Sequence, residues 1–157
     1  MCQIPPAIKI PPIFWEKKIR IRLDKIIVNH FKQIESLEVD LQPITALVGG
    51  NTSGKSSALQ AAQLGISILQ AAFRRKASGR CEFEGTVAND AVLFRPTDRL
   101  LDLRRGLPAT QTRGFSIAYC GVDIDTGAGK QLTIEVRRGK NANIAITRTG
   151  DADLAEV

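Results

Sequence analysis

Leu47-Val48-Gly49-Gly50-Asn51-Thr52-Ser53-Gly54-Lys55-Ser56-Ser57 carries the reading of this chain. It meets the pattern G-x-x-x-x-G-K-[ST] in full, with Gly49, Gly54, Lys55 and Ser56 at the required spacing. The apolar run Ile44 to Val48 predicts a buried strand entering the loop, and Ser57 to Phe73 predicts a helix leaving it. Glycines let backbone N–H groups approach phosphate oxygens closely, and a helix N-terminus adds partial positive charge at the same spot. Lys55 is then placed for the β- and γ-phosphates, and the Ser56 hydroxyl for Mg²⁺. The plain alternative is a Gly/Ser-rich turn before an ordinary helix, and the two flanks weigh against it. The expectation is a nucleotide site with ATP and Mg²⁺ as cofactors. Gly49, Gly50, Asn51, Thr52, Ser53, Gly54, Lys55, Ser56 and Ser57 would line it, with Ser56 as metal ligand.

Upstream of the loop, Ile19, Ile21 and Leu23 alternate with Arg20, Arg22 and Asp24, and Ile26 and Val28 continue the apolar face with a shift of register. Leu37, Val39 and Leu41 alternate with Glu38, Asp40 and Gln42, and Pro43 ends the run. Two half-exposed, antiparallel strands are therefore expected ahead of the buried one. Downstream, Leu59, Ala62, Ile66, Leu69 and Phe73 recur at three- and four-residue steps, one apolar stripe on a helix closed by Ser78-Gly79-Arg80. Residues 98–106 suit a short helix or turn. After Pro108 three strand patterns follow, around Phe115 to Tyr119, Leu132 to Val136 and Ile144 to Ile146. Turn-rich links at 125–129 and 138–141 join them into an antiparallel meander. The expected class is α/β with α+β character, a mixed sheet around one main helix plus the meander. Residues 1–17 would form a proline-rich extension, marked by Ile4-Pro5-Pro6 and Ile10-Pro11-Pro12, and residues 18–157 one nucleotide-binding unit.

The 157 residues suffice for one domain and a sizeable core. A hydrophobic share of 43% with 24% charged residues is ordinary for a globular protein, and the apolar helix is too short and too polar to span a bilayer. No secretory leader is evident, so the expected location is the cytoplasm, with no membrane partner. Cys2, Cys81 and Cys120 lack metal-ligand spacing, and His30 is the single histidine, which excludes a histidine triad or cluster. The net charge of +6 points to an anionic partner. Arg74, Arg75 and Lys76 are the candidate DNA contacts, weighed against the alternative that they complement a helix C-terminus.

The residues also resemble a known family. Asn29-His30-Phe31-Lys32-Gln33-Ile34, the strand holding Leu37, Val39 and Leu41, and the loop Gly49 to Ser57 look like the amino-terminal lobe of the RecF/SMC-like ATPases. This ABC-type group of AAA-family ATPases includes overcoming-lysogenization-defect nucleases and related phage-defence ATPases. Its usual opening is a basic strand, N-F-[RK], a short strand and G-x-N-x-[SA]-G-K-S-S, so that Asn51 and Ser57 extend the match beyond the generic loop. The resemblance covers residues 19–73. It implies that Lys32 lies near the nucleotide phosphates, and that a second ATPase lobe or a homodimer partner completes the site. DNA would be the object of its work in repair, chromosome maintenance or phage defence, with a nuclease as a further partner. Two departures are Gly50, where proline or an acidic residue is common, and His30, inserted within N-F.

The family hydrolyses ATP with an apolar strand ending in Asp-Glu and a Ser-Gly signature. Neither is found: Leu100-Leu101-Asp102 is too short, Ala118 to Asp123 is broken by Gly121, and residues 94–106 hold no glutamine for the family's glutamine loop. No catalytic residue is therefore assigned, and the chain is expected to be one part of a longer or split enzyme. A small self-contained kinase and a non-hydrolysing nucleotide- or DNA-binding regulatory module are the rival readings.

Overall fold

A computed structural model describes residues 20–75 and 81–151. The expected proline-rich extension at 1–17 and Lys76 lie outside the described residues. The chain runs β1 (Ile21–Phe31), β2 (Ile34–Asp40), α1 (Lys55–Ala72), β3 (Phe73–Arg75), β4 (Cys81–Phe83), β5 (Thr86–Val87), β6 (Phe115–Asp123), β7 (Gly129–Arg138) and β8 (Ile144–Gly150). Six strands form one sheet in the order β2-β1-β6-β7-β8-β5, and β3 pairs with β4 in a separate ribbon. Every one of these pairings is antiparallel.

The expected α/β class, a mixed sheet around one main helix, is overturned by this arrangement. The fold is a six-stranded antiparallel sheet with a single α-helix among the described residues. The decisive segment is Ile44 to Val48, which forms no strand: Ile44 and Val48 are 90% and 92% exposed. A buried parallel strand needs a ladder on at least one side and apolar cover on its faces. The antiparallel pairings just described leave none for this segment.

Alternation decides the rest. β6 and β7 follow the period of two, placing Phe115, Ile117, Tyr119, Leu132, Ile134 and Val136 in the interior. In β1 the register slips between Leu23 and Lys25 against β6, a bulge that moves the apolar face from Leu23 to Ile26 and Val28. Helix α1 lays Ala61, Leu64, Ile68 and Ala72 against this face, all fully buried. Each of the larger two side chains contributes about 1.5–3 kcal/mol by leaving water. Phe31 and Phe115 meet edge to face at 5.3 Å beneath the start of the helix. The helix stops at Ala72 because Phe73 turns extended and enters the ribbon with β4, where Arg148 lies over the rings of both Phe73 and Phe83.

Register places the Gly49–Gly54 loop. Asn29 pairs with Ser116, Phe115 with Val136, and Arg138 with Ile144, so one end of the sheet gathers the end of β1 and the starts of β2, β6 and β8. A Cβ at Gly54 would stand 3.5 Å from Ile34, which puts the N-terminus of α1 at that same end.

Candidate functional site

The loop from Gly49 to Gly54 is a tight curl closed on itself. The Ser53 N–H and its Oγ both donate to the Gly50 carbonyl, at 3.2 and 2.9 Å. Gly54 caps α1 in the left-handed region at φ 85°, the conformation that glycine adopts without strain, and its carbonyl accepts the first helical bond from Ala58. No side chain caps this end, and the first turn holds no acidic residue. The leading N–H groups of an 18-residue helix therefore keep their partial positive charge for an anion.

The Lys55 ammonium folds back into the curl. It donates to the carbonyls of Gly49 and Gly50, at 2.6 and 2.5 Å, and to Ser53 Oγ at 3.2 Å. All three donors are thus engaged by the loop itself, which holds the charge inside the ring of backbone a phosphate would enter. Ser56 follows on the exposed side of the first helical turn, with Ser57 half-buried beside it. Asn51 and Thr52 are exposed at the tip. Ser56 offers one hydroxyl oxygen, and the other ligands of a Mg²⁺ ion would be phosphate oxygens and water, the usual pattern for this cation. Among the described residues no group of three His, Cys, Asp or Glu is arranged to hold a metal.

Lys32 arrives from the β1–β2 turn. His30 and Lys32 both have positive φ, 55° and 51°, so the backbone kinks on either side of Phe31, which stays fully buried. The Lys32 ammonium donates to Gln60 Oε1 at 2.6 Å, in the second turn of α1, and not to the loop. Gln60 is thus a positioning partner that the loop pattern does not disclose.

A second unexpected neighbour is the segment around Leu103. The Lys32 N–H donates to the Leu103 carbonyl and the Arg105 N–H to the His30 carbonyl, while Arg105 Nη1 reaches the Gln33 carbonyl at 3.1 Å and Glu35 at 3.5 Å. These contacts span some seventy residues of sequence, and periodicity carries no signal for them.

The remaining candidates fall elsewhere. Arg74 and Arg75 are paired in the β3–β4 ribbon, opposite Glu82 and Cys81, and not in the last turn of the helix. Leu100–Leu103 is a 3-10 turn, and Ala118 to Asp123 lies within β6 between β1 and β7. Asp123 sits at the end of the sheet remote from the loop, accepting from the N–H groups of Asp125 and Thr126 in the β6–β7 turn. No helix among the described residues is long and apolar enough to cross a membrane.

No curated protein matches the chain. A family model described as "protein of unknown function (DUF2813)", placed among AAA-ATPase-like families, matches residues 21–78, the span that holds β1, β2, the Gly49–Gly54 loop and α1.

Proposed function

We propose that the chain binds Mg²⁺-ATP at Gly49 to Ser57, as the nucleotide-binding part of a RecF/SMC-like ATPase. A second ATPase lobe or a homodimer partner would complete the site. The observation that carries this reading is the Lys55 ammonium held within the Gly49–Ser53 curl at the uncapped N-terminus of α1. Triphosphate oxygens would replace the two carbonyls and Ser53 Oγ as partners of Lys55, and the leading N–H groups of α1 would bind them from the other side. Mg²⁺ would take the Ser56 hydroxyl and supply charge neutralisation between phosphates. Lys32, one helical turn along, would swing from Gln60 to the phosphates. In this reading the ATP-bound assembly works on DNA, in repair, chromosome maintenance or phage defence, with a nuclease as a further partner.

Calorimetry with Mg²⁺-ATP tests the proposal. Lys55→Ala is expected to weaken binding roughly tenfold or more, because a charge-assisted contact of this kind contributes about 1.5–3 kcal/mol. Ser56→Ala is expected to remove most of the gain in affinity that Mg²⁺ confers. Equal affinities for the parent chain and Lys55→Ala, with both folded by circular dichroism, would overturn the assignment.

A further inference from the structure

Among the described residues, some surface cations have a carboxylate partner and others have none. Several on or beside the strands are matched by carboxylates: Arg20 with Asp125, Arg22 with Asp24, Lys25 with Glu38 and Asp40, and Arg137 with Glu135. At the loop end of the sheet, from the close of β7 into the connections, several cations have no such partner. Among the described residues, the side chains of Arg99, Arg113, Arg138 and Lys140 make neither an ion pair nor a hydrogen bond, and all four are exposed.

Two of them face a groove of about 670 Å³, with Thr110, Gln111 and Thr112 on one side and Arg138, Lys140 and Asn141 on the other. Both walls are tight turns with their own backbone bonds. Thr110 N–H donates to the Arg113 carbonyl at 2.8 Å, Gly139 N–H to the Asn143 carbonyl at 2.8 Å, and Arg138 N–H to the Thr110 carbonyl at 3.0 Å, tying the walls together. The groove is lined by hydroxyls, amides and cations, with no carboxylate and no aromatic ring. Arg138 also borders an adjoining groove that contains Arg99 and Asp102, so positive charge continues past the first seat.

We infer that this groove seats the sugar–phosphate backbone of duplex DNA. Arg, Lys, Thr, Asn and Gln side chains are the usual donors to backbone phosphates and sugars, and they fix position without reading bases. The lack of an aromatic platform removes the stacking by which single strands are held, and directs the groove to a duplex. The inference rests on the reading of DNA as a partner and names the surface that meets it. It is independent of the nucleotide loop.

The test is fluorescence anisotropy of a labelled mixed-sequence duplex over a salt series. Log affinity is expected to fall linearly with log salt, by about 0.9 per phosphate neutralised. Arg138→Gln combined with Lys140→Gln should flatten that slope by about two contacts' worth and weaken binding to all sequences alike. Arg20→Gln, a cation already paired with Asp125, should leave the slope unchanged. Both variants alter exposed side chains, and a melting curve like that of the parent confirms that each is folded. Four outcomes would overturn the inference: no salt-dependent duplex binding by the parent chain, an unchanged slope in the double variant, equal or tighter binding of single strands, or displacement of the duplex by an equal concentration of inorganic phosphate. Lys55→Ala separates the two readings: loss of ATP with the duplex slope intact supports both. A parent chain that binds duplex but no ATP sinks only the nucleotide reading.

Discussion

Gly65 sits mid-helix with its α-carbon facing the Tyr119 hydroxyl, and a Cβ there would stand 2.2 Å from that oxygen. Tyr119 Oη in turn donates to the Ala62 carbonyl at 2.6 Å, so ring and helix are fixed against one another. Helix propensity alone would favour Gly65→Ala by about 1 kcal/mol. The contact reverses the sign: Gly65→Ala is expected to destabilise the fold by about 1–3 kcal/mol, as overpacked cores do. Adding Tyr119→Phe should recover part of the loss in urea denaturation. Burial also pushes the Tyr119 phenol well above its ordinary range, against a smaller opposing effect of a backbone bond from Ile66. The folded state thus favours the neutral phenol, a contribution complete below about pH 10, where the unfolded chain titrates, and lost as pH rises through the folded value. Stability should fall above about pH 10 with a steeper slope in the parent than in Tyr119→Phe. Tyr119 is the single tyrosine, so phenolate absorbance reports this ionisation without interference.

Helix α1 divides into a face that holds the fold and a face that does not. Leu64→Ala and Ile68→Ala should each cost about 2–5 kcal/mol, since both side chains are fully buried against the sheet. Leu59→Gln and Ile66→Gln, on the exposed side, should change stability by no more than about 0.5 kcal/mol. Chemical denaturation of the four variants checks this division, and a large loss at Ile66 would mean that the helix is rotated from its described position. The stripe expected from spacing named Leu59, Ala62, Ile66, Leu69 and Phe73, whereas the buried residues of α1 are Ala58, Ala61, Leu64, Gly65, Ser67, Ile68 and Ala72, with Leu69 partly buried against the same core. Small residues and a glycine let α1 approach the sheet closely, and hydropathy spacing underweights alanine and glycine. The strands of the meander were legible because each alternates cleanly and ends at turn residues, and the β1–β2 pair was legible for the same reason. Ile44 to Val48 misled because an apolar run records only that a segment prefers cover, and the cover itself must come from another ladder. The loop was legible as a glycine-rich turn leading into a helix, since glycine takes the left-handed conformation that Gly54 adopts just before Lys55. Gln60 and Arg105 were not, because their roles depend on contacts across 28 and 72 residues of chain.

At the scale of the whole molecule, the sheet separates its two ends. The end that holds the Gly49–Gly54 loop carries Lys55, Lys32 and the unpaired cations, while the opposite end holds Asp123 in a turn and the Arg20–Asp125 pair. Phosphoryl transfer needs a positioned water and charge stabilisation beyond a phosphate-binding loop. This chain alone should therefore turn over ATP at background. A steady-state rate on the order of one per second from the purified monomer would contradict that expectation, and would direct attention to Asp98 and Asp102 in the connections at the loop end. The seam between β1 and β6 has a further consequence, in time. It joins residues from 87 positions apart, at Asn29 and Ser116, to 102 apart, at Ile21 and Asp123, and the loop and α1 both lie inside the circuit that it closes. The meander β6–β7–β8 needs only neighbouring hairpins and can assemble early, whereas closing the long circuit carries the larger entropic cost and comes later. During synthesis the part of the sheet face that β6 supplies to α1 does not exist until the ribosome has passed Asp123, and a nascent chain arrested before that point carries the whole Gly49–Ser57 loop and α1 with only the β1–β2 hairpin to rest on.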